Sequence, residues 1–119
     1  MAYVDGFLTP LPKRKIAEYR RIARKAGKVW REHGALEYRE CIGDDLEVKG
    51  MASFPRRAGA KRGETVVFSW VVYKSRAHRD RVLAKVLADP RIAGKSDPKN
   101  SPFDMKRMAY GGFKVLVDL

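Results

Sequence analysis

The sequence predicts a single α+β domain, residues 1–119, with a ferredoxin-like βαββαβ order: a four-stranded antiparallel sheet with two helices on one face. Three observations lead to this fold. Helical and strand patterns alternate, the stretch from Glu64 to Tyr73 is apolar on both faces, and 119 residues is an ordinary size for one domain. Because two helices cover only one face, the other apolar face is expected to meet a second copy, which predicts a homodimer. The alternative is that Tyr73 and its neighbouring valines lie at a partly exposed edge.

The first half of the chain contains two strand patterns on either side of a helical one. Residues 3–8 mix aromatic and branched side chains and stop at a pair of prolines, which is typical of a strand. Between Lys13 and Gly34, apolar residues recur every three or four positions and predict a helix with the buried face Ile16, Tyr19, Ala23, Ala26 and Trp30. Residues 36–42 predict the second strand, followed by an extended continuation through residue 54 and a hairpin tip at residues 59–63.

The second half repeats this arrangement. After the strand at residues 64–73, Ser75 is expected to cap a helix with the buried stripe Val82, Leu83, Val86 and Leu87. Asp89 precedes a proline and should end that helix. A long connection containing Pro98 and Pro102 then leads to a last strand at residues 107–118. Its paired glycines, 111 and 112, indicate a bulge or a close backbone approach, and residues 115–117 are expected to be buried.

The composition limits the classes of protein to which the chain can belong. Apolar residues make up 45% of it, yet no apolar run approaches the length of about 20 residues that crosses a bilayer, so we expect a soluble protein without a membrane partner. Cys41 is the one cysteine, and residues 1–6 do not resemble a secretory signal, which favours the cytoplasm. With two histidines, His33 and His78, one chain cannot build a zinc cluster from cysteine and histidine alone. We expect no metal and no cofactor.

The charge of the chain is strongly positive. Its 26 Lys and Arg residues against 14 Asp and Glu residues give a net charge of +12. Residues 13–32 alone carry nine basic and two acidic residues, and a second cluster comprises Arg56, Arg57, Lys61 and Arg62. Such a charge attracts polyanions, so Arg21, Arg24 and Lys28 are candidates for weak nucleic-acid binding without sequence preference. The alternative is a solvated helix face that keeps a dimer soluble.

Several strings of residues resemble a known family. They are Tyr3-Val4-Asp5-Gly6-Phe7, Gly34-Ala35-Leu36, Glu40-Cys41 with Gly43-Asp44-Asp45, Val67-Phe68-Ser69-Trp70, Asp89-Pro90-Arg91 and the run from Pro102 to Phe113. Over essentially its whole length the chain resembles the YbaA-like family of bacterial domains of unknown function. The resemblance implies a branch of the dimeric α/β-barrel superfamily, in which two βαββαβ chains stack their sheets. That superfamily includes cofactor-free oxygenases, isomerases, haem enzymes and ligand-sensing modules, so the resemblance does not imply one activity.

Three residues are candidates for catalysis: His33, Cys41 and Asp104. Cys41 would be a nucleophile if a nearby cation lowered its pKa, and it would otherwise be a small core residue. His33 is a general base or haem ligand in one interpretation and a helix-end cap in the other. Asp104 is expected to pair with Arg107 at the entry to the last strand.

The predicted ligand site consists of Trp70, Asp104, Arg107 and Tyr110. The long connection before Asp104 is unusual for a compact domain unless it covers a site, and the two aromatic residues would line the pocket beside the charged pair. Core packing is the alternative role of the aromatic residues. The function that we expect is therefore binding of a small molecule, with a cofactor-free enzyme as one form of it and a basic nucleic-acid-binding module as the alternative.

Two other patterns have a structural explanation beside the functional one. The acidic residues Glu40, Asp44, Asp45 and Glu47 offer oxygen ligands for Mg²⁺ or Ca²⁺, but their spacing matches no known loop and the aspartate pair is more typical of a turn. The aromatic residues of strands one and three resemble those of the RNA-recognition motif: Tyr3 and the run from Phe68 to Tyr73. The basic-Gly opening of that motif is missing, and any buried aromatic strand gives the same pattern.

Overall fold

The computed structural model describes residues 1–93 and 101–119 and confirms the ferredoxin-like α+β fold. One antiparallel sheet has the strand order β2-β3-β1-β4, and the two long helices, α1 and α3, pack on one face of it. The strands are β1 (Tyr3–Pro12), β2 (Glu37–Ile42), β3 (Glu64–Tyr73) and β4 (Ala109–Lys114). The helices are α1 (Ile16–Glu32), α2 (Phe54–Ala58), α3 (Arg76–Ala88) and α4 (Pro90–Ala93).

The central strands β1 and β3 pair over ten residues, from Tyr3 opposite Tyr73 to Pro12 opposite Glu64. Side chains alternate between the two faces of a strand, so this register decides which residues meet the helices. The two-sided character predicted for β3 is confirmed. Val71 and Tyr73 are buried beneath the helices, whereas the side chain of Phe68 faces the other way and is 47% exposed.

The core lies between the sheet and the helices in two clusters. The larger one joins α1, α3 and the sheet through Val29, Ala35, Val71, Tyr73, Val82 and Val86. The smaller one joins α1 to the other end of the sheet through Leu11, Tyr19, Ala23 and Val67.

Helix α1 ends where the sequence predicted, but its buried face differs in part. Gly34 follows the helix with a φ of +117°, a conformation that favours glycine. Ile16 is 36% exposed, because it lies in the first turn, whereas Gly27 is buried against the ring of Tyr38. A Cβ at position 27 would approach that ring to 2.7 Å, so the close packing of α1 on β2 requires glycine.

The segment after β2 corrects the prediction. Residues 43–53 form no strand, and a short helix, α2, follows them where the extended chain was expected to lead into a hairpin. Residues 59–63 form a turn, as predicted, but it joins α2 to β3 and is not the tip of a hairpin. Ser53 caps this helix by accepting a hydrogen bond from the Arg56 amide, Pro55 lies in its first turn, and Gly59 ends it with a φ of +70°. These are ordinary helix boundary signals, and they favour a short helix over the extended segment that was predicted.

Helix α3 confirms the predicted cap and most of the predicted stripe. The Ser75 hydroxyl accepts a hydrogen bond from the His78 amide at 3.1 Å, and Val82 and Val86 are buried. Leu87 is 58% exposed, so its predicted burial was wrong. Arg79, one turn before Val82 and Leu83, takes a place on the buried stripe instead.

The last strand is shorter than predicted. β4 pairs only with β1, whose first residue, Tyr3, lies opposite Lys114. Beyond that pair, the Val115 amide still donates to the Ala2 carbonyl at 3.2 Å, and the strand ends there. Leu116 and Val117 are 91% and 68% exposed, which overturns their expected burial, whereas Val115 is half-buried. The two glycines form no bulge, but the close approach is confirmed, since a Cβ on Gly112 would overlap the Tyr3 ring. Pro98 of the predicted connection lies outside the described residues.

Candidate functional site

A buried ion pair joins β1 to α3. Asp5 is 1% exposed on the helix-covered face of β1, and its Oδ1 accepts a hydrogen bond from Arg79 Nη1 at 2.8 Å. The Arg79 side chain is itself only 12% exposed. Removing two charges from water costs several kcal/mol per ion before their attraction offsets it, so a pair in this position calls for an explanation beyond stability.

Aromatic residues surround this ion pair. Arg79 Nη1 also donates to the Tyr110 hydroxyl at 2.7 Å, and the Arg79 guanidinium lies 5.0 Å from the centre of the Tyr3 ring. The Tyr110 ring stacks on Phe7 with 4.9 Å between ring centres. We call Asp5, Arg79 and Tyr110, with Tyr73 and Tyr3 beside them, the Asp5 cluster.

Burial and the charge of Arg79 shift the pKa of Asp5 in opposite directions. Burial raises the pKa of the Asp5 carboxyl above its ordinary value of 3.8, and the positive charge of Arg79 only partly counters this. Burial and the Asp5 charge raise the pKa of the Tyr73 and Tyr110 hydroxyls. The cluster thus holds a carboxylate whose charge is costly beside phenols that keep their protons, an arrangement suited to giving or taking a proton at Asp5.

A half-buried carboxylate of β2 faces α1. Glu40 accepts hydrogen bonds from the hydroxyls of Tyr19 at 2.6 Å and Tyr38 at 2.7 Å, and burial together with the Glu40 charge raises the pKa of both phenols. Glu40 is therefore turned into the interior, away from the loop that carries Asp44 and Asp45. Among the described residues no group of three or more His, Cys, Asp or Glu side chains is placed to hold a metal ion.

The residues of the predicted ligand site do not converge. Tyr110 belongs to the helix-covered face, whereas Trp70 lies on the opposite face and donates to Glu37 at 3.2 Å. The predicted pairing of Asp104 with Arg107 was wrong. Arg107 binds the carboxylate of Glu64 through two nitrogens, at 2.7 and 2.8 Å, because its side chain reaches the start of β3.

Asp104 has a local role instead, since its carboxylate caps a 3-10 turn by accepting from the Lys106 amide at 2.9 Å. His33 follows the last residue of α1, and its Nε2 lies 2.9 Å from Asp89 Oδ2 at the end of α3. Cys41 is half-buried on the face of the sheet away from α1 and α3, in register with Phe68. The three catalytic candidates are therefore at separate places, and none belongs to the Asp5 cluster.

The face of the sheet away from α1 and α3 carries aromatic side chains. Phe68 contacts Trp70 and Phe54 of α2, with ring centres 5.7 and 6.0 Å apart, and Phe113 of β4 is 61% exposed. We call this surface the open face. Tyr3 lies on the opposite, covered face and is 7% exposed. The paired aromatic residues that an RNA-recognition motif presents from its first and third strands are therefore not assembled.

The nucleic-acid candidates lie together on α1. Arg21, Arg24 and Lys28 are all exposed on this helix, on the side of the protein away from the open face. The structure thus brings the three side chains to one surface, as their helical spacing predicted.

Sequence reasoning missed the Asp5 cluster apart from Tyr110. Asp5 and Arg79 are 74 residues apart, so their contact depends on tertiary structure. Two signals were present nonetheless. A charged residue stands inside the first strand, and an arginine stands three residues before Val82 on a helix whose apolar stripe would otherwise continue.

Comparison with known proteins agrees with the fold. Residues 2–105 match the family described as "Protein of unknown function (DUF1428)". The chain is 41% identical over 118 residues, 99% of both chains, to the uncharacterized protein YbaA of Escherichia coli strain K12, and equally to that of Shigella flexneri. A crystal structure of an uncharacterized NIPSNAP domain protein from Burkholderia xenovorans has a TM-score of 0.55 and 13% identity, covering 95% of this chain and 93% of that one.

Two further points concern the chain as a whole. None of the described helices combines the length and the apolar character that crossing a membrane requires. The likeness to the NIPSNAP domain protein supports the fold alone, since the sequences are only 13% identical. The family match and the identity to YbaA, each over most of the chain, show that this protein belongs to the DUF1428 family of proteins of unknown function.

Proposed function

We propose that the protein binds a small organic anion at the Asp5 cluster. The observation that carries this proposal is the buried Asp5–Arg79 pair, which continues to the half-exposed Tyr110 on an edge strand. Buried charges with perturbed proton affinity are concentrated at functional sites, and here they lie between sheet and helices.

The chemistry of Arg79 indicates the ligand class. Its Nε is bonded to Asp80 at 2.9 Å, and its Nη1 to Asp5 and Tyr110, while Nη2 has no hydrogen-bond partner among the described residues. An unoccupied guanidinium edge beside a phenol hydroxyl is a donor pair for a carboxylate, an enolate or a phenolate.

The same cluster is equipped for cofactor-free proton transfer. In this step a C–H or O–H bond of the ligand breaks, the proton forms an O–H bond with Asp5, and the electron pair stays on the ligand as an anion beside Arg79. The raised pKa of Asp5 brings its proton affinity closer to that of the acid it would deprotonate, and Arg79 stabilises the resulting charge.

Binding is tested by thermal shift and calorimetry with small carboxylates, phenols and enolisable diketones. A ligand of the Asp5 cluster should stabilise the wild type and lose at least about tenfold in affinity in Tyr110→Phe, since one hydroxyl contact is lost. Tyr38→Phe is the matched control, because it also removes one hydroxyl bonded in the interior, but at Glu40. Equal affinity in the two variants would place the ligand elsewhere.

Proton transfer is tested separately. Asp5→Asn should keep ligand binding but abolish the exchange of solvent deuterium into an enolisable ligand, as followed by NMR. Exchange at the wild-type rate in Asp5→Asn would remove Asp5 from the chemistry and leave a binding protein.

The assembly that we propose is a homodimer in which two open faces stack. Phe54, Phe68 and Phe113 are each about half exposed or more on this face, and a monomer gains by covering such a surface. A second copy fits the charges, because the excess cations of α1 lie on the helix side and do not oppose the stacking. On the open face itself Arg39 already pairs with Glu37 at 3.0 Å.

Light scattering decides this assembly. The wild type should have about twice the mass of its 13.5 kDa chain at micromolar concentration. Phe68→Asp should be monomeric, whereas Leu87→Asp, which adds the same charge at an exposed leucine of α3, should remain dimeric. A monomeric wild type, or equal behaviour of the two variants, would contradict stacking through the open face.

We place this dimer in the cytoplasm. The support is the cysteine content, since Cys41 is the single cysteine of the sequence and no disulfide can form within a chain.

A further inference from the structure

The ion pairs of the protein leave most of its positive charge unneutralised. Within residues 1–93 and 101–119, five basic side chains take part in salt bridges: His33, Arg39, Arg79, Arg91 and Arg107. The cations of the first helix and of the segment after α2 do not take part in them. The excess charge is therefore concentrated on particular surfaces.

One of these surfaces is the outer side of α1. The exposed cations between residues 13 and 28 are Lys13, Arg14, Arg20, Arg21, Arg24, Lys25 and Lys28. They lie opposite the buried side of the helix, which faces the sheet through Tyr19 and Ala23. At 1.5 Å per residue the row from Lys13 to Lys28 is about 22 Å long, and Glu18 is its one acid.

The structure extends this row with residues distant in sequence. The Lys13 amide donates to the Gly63 carbonyl at 3.0 Å, which holds the turn after α2 against the start of α1. A shallow groove of about 510 Å³ results, and its cations are Lys13, Arg14, Lys61 and Arg62.

The acid in this groove does not neutralise the four cations. Glu64 is held by Arg107, and that contact lowers the pKa of its carboxyl to about 2. Its negative charge is thus already balanced by an arginine outside the groove. We call the exposed cations of the row together with Lys61 and Arg62 the basic band.

We propose that the basic band binds the phosphate backbone of a nucleic-acid duplex without reading its base sequence. This activity is independent of the Asp5 cluster, which lies beneath the helices. A duplex carries one charge per about 1.7 Å of its axis, so a band of about 22 Å faces on the order of a dozen phosphates. Among the described residues, the groove at Lys61 and Arg62 is lined by no aromatic side chain on which an unpaired base could stack, which favours a duplex over a single strand.

The test is fluorescence anisotropy with short DNA duplexes of three unrelated sequences and the matching single strands, from about 50 to 200 mM salt. The triple variant Arg14→Glu, Lys61→Glu, Arg62→Glu should weaken duplex binding at least about tenfold and reduce the slope of log affinity against log salt by about 2.7, at about 0.9 per phosphate contact. Arg21→Glu, Arg24→Glu, Lys28→Glu should act in the same direction.

The matched control is Arg76→Glu, Arg81→Glu, Lys85→Glu on α3, which changes the net charge equally at exposed positions outside the band. It should weaken binding less than about threefold, because only long-range attraction is reduced. Circular dichroism and melting temperature establish that each variant is folded before its affinity is compared.

Several results would overturn the proposal. An equal loss in the α3 variant would show general attraction rather than a site, and a preference for one duplex sequence would show base reading. Tighter binding of the single strands would transfer the activity to the aromatic residues of the open face. Band-dependent binding to vesicles of anionic lipid, without binding to duplexes, would identify a membrane surface as the partner.

Discussion

Replacing Arg79 by methionine tests the buried ion pair on which the proposed site depends. The change keeps a long apolar stem on α3 but leaves Asp5, which is 1% exposed, without its cation. Breaking a buried pair by removing one partner costs about 3 kcal/mol or somewhat more, because a charge remains buried without compensation. We therefore expect Arg79→Met to lower the free energy of unfolding by about 3 kcal/mol at pH 8.

The loss should depend on pH with a defined sign. Burial already raises the folded pKa of Asp5 above its ordinary value of 3.8, so the folded state binds this proton more readily than the unfolded state. Asp5 therefore adds to stability at low pH, and that contribution is lost as pH rises through the folded pKa. Without Arg79 the folded pKa rises further. The difference between variant and wild type should then grow by up to about 1.4 kcal/mol per pH unit between the two folded pKa values.

The measurement is urea unfolding followed by tryptophan fluorescence at several pH values and one protein concentration, since the stability of the proposed dimer would depend on concentration. The double variant Arg79→Met, Asp5→Leu is the control. Because it removes both charges, it should recover most of the lost stability and its deficit should not vary with pH. A single-variant loss under about 1 kcal/mol at pH 8, or one that stays the same across the whole pH series, would refute this account of the cluster.

Three further expectations follow from the packing. Gly27→Ala should destabilise the protein by about 1 to 3 kcal/mol in the same assay, because the new methyl group would stand 2.7 Å from the Tyr38 ring; an unchanged midpoint would contradict that contact. The Glu64 carboxyl, with its pKa lowered to about 2 by Arg107, contributes stability that is present above its ordinary pKa of 4.5 and lost as pH falls toward 2. Arg107→Gln should therefore flatten the acid side of a melting-temperature profile, and an unaltered profile would rule the pair out as its cause. Leu87→Ala should change stability by less than about 0.5 kcal/mol, since the side chain is 58% exposed. A loss as large as that of a core leucine would show that Leu87 is buried, as the sequence predicted.

The fold could be predicted from the sequence because its strongest signals are local. The strand at residues 64–73 was predicted with its observed bounds, since a run rich in β-branched and aromatic residues that follows a glycine favours a strand even when both of its faces are apolar. The Ser75 cap and the stop at Gly34 were likewise local. The burial of residues 115–117 is not a local property, because it depends on where β1 begins and hence on whether a partner strand is present.

The site could be predicted only in part because it depends on register. Trp70 lies opposite Gly6 of β1 and Tyr110 opposite Phe7, and this one-residue difference sends the two aromatic side chains to opposite faces of the sheet. Nothing in the sequence specifies that register before the strand order is known. The contact of Arg79 with Asp5 also depends on this register. The sequence therefore predicted Tyr110, at the rim of the site, but not the ion pair at its centre.

The position of Tyr110 on β4 has a consequence for how the Asp5 cluster opens. β4 is an edge strand of six residues that pairs with β1 alone, whereas Asp5 lies on a ten-residue strand with a partner on each side. Short edge elements detach at a lower free energy than the central strands, well before global unfolding. Fraying of β4 would withdraw the Tyr110 hydroxyl and admit water to Asp5 and Arg79 while the rest of the sheet remains intact. Amide hydrogen exchange in β4 should therefore be faster than in β1, and the exchange rate would measure how often the buried pair meets solvent.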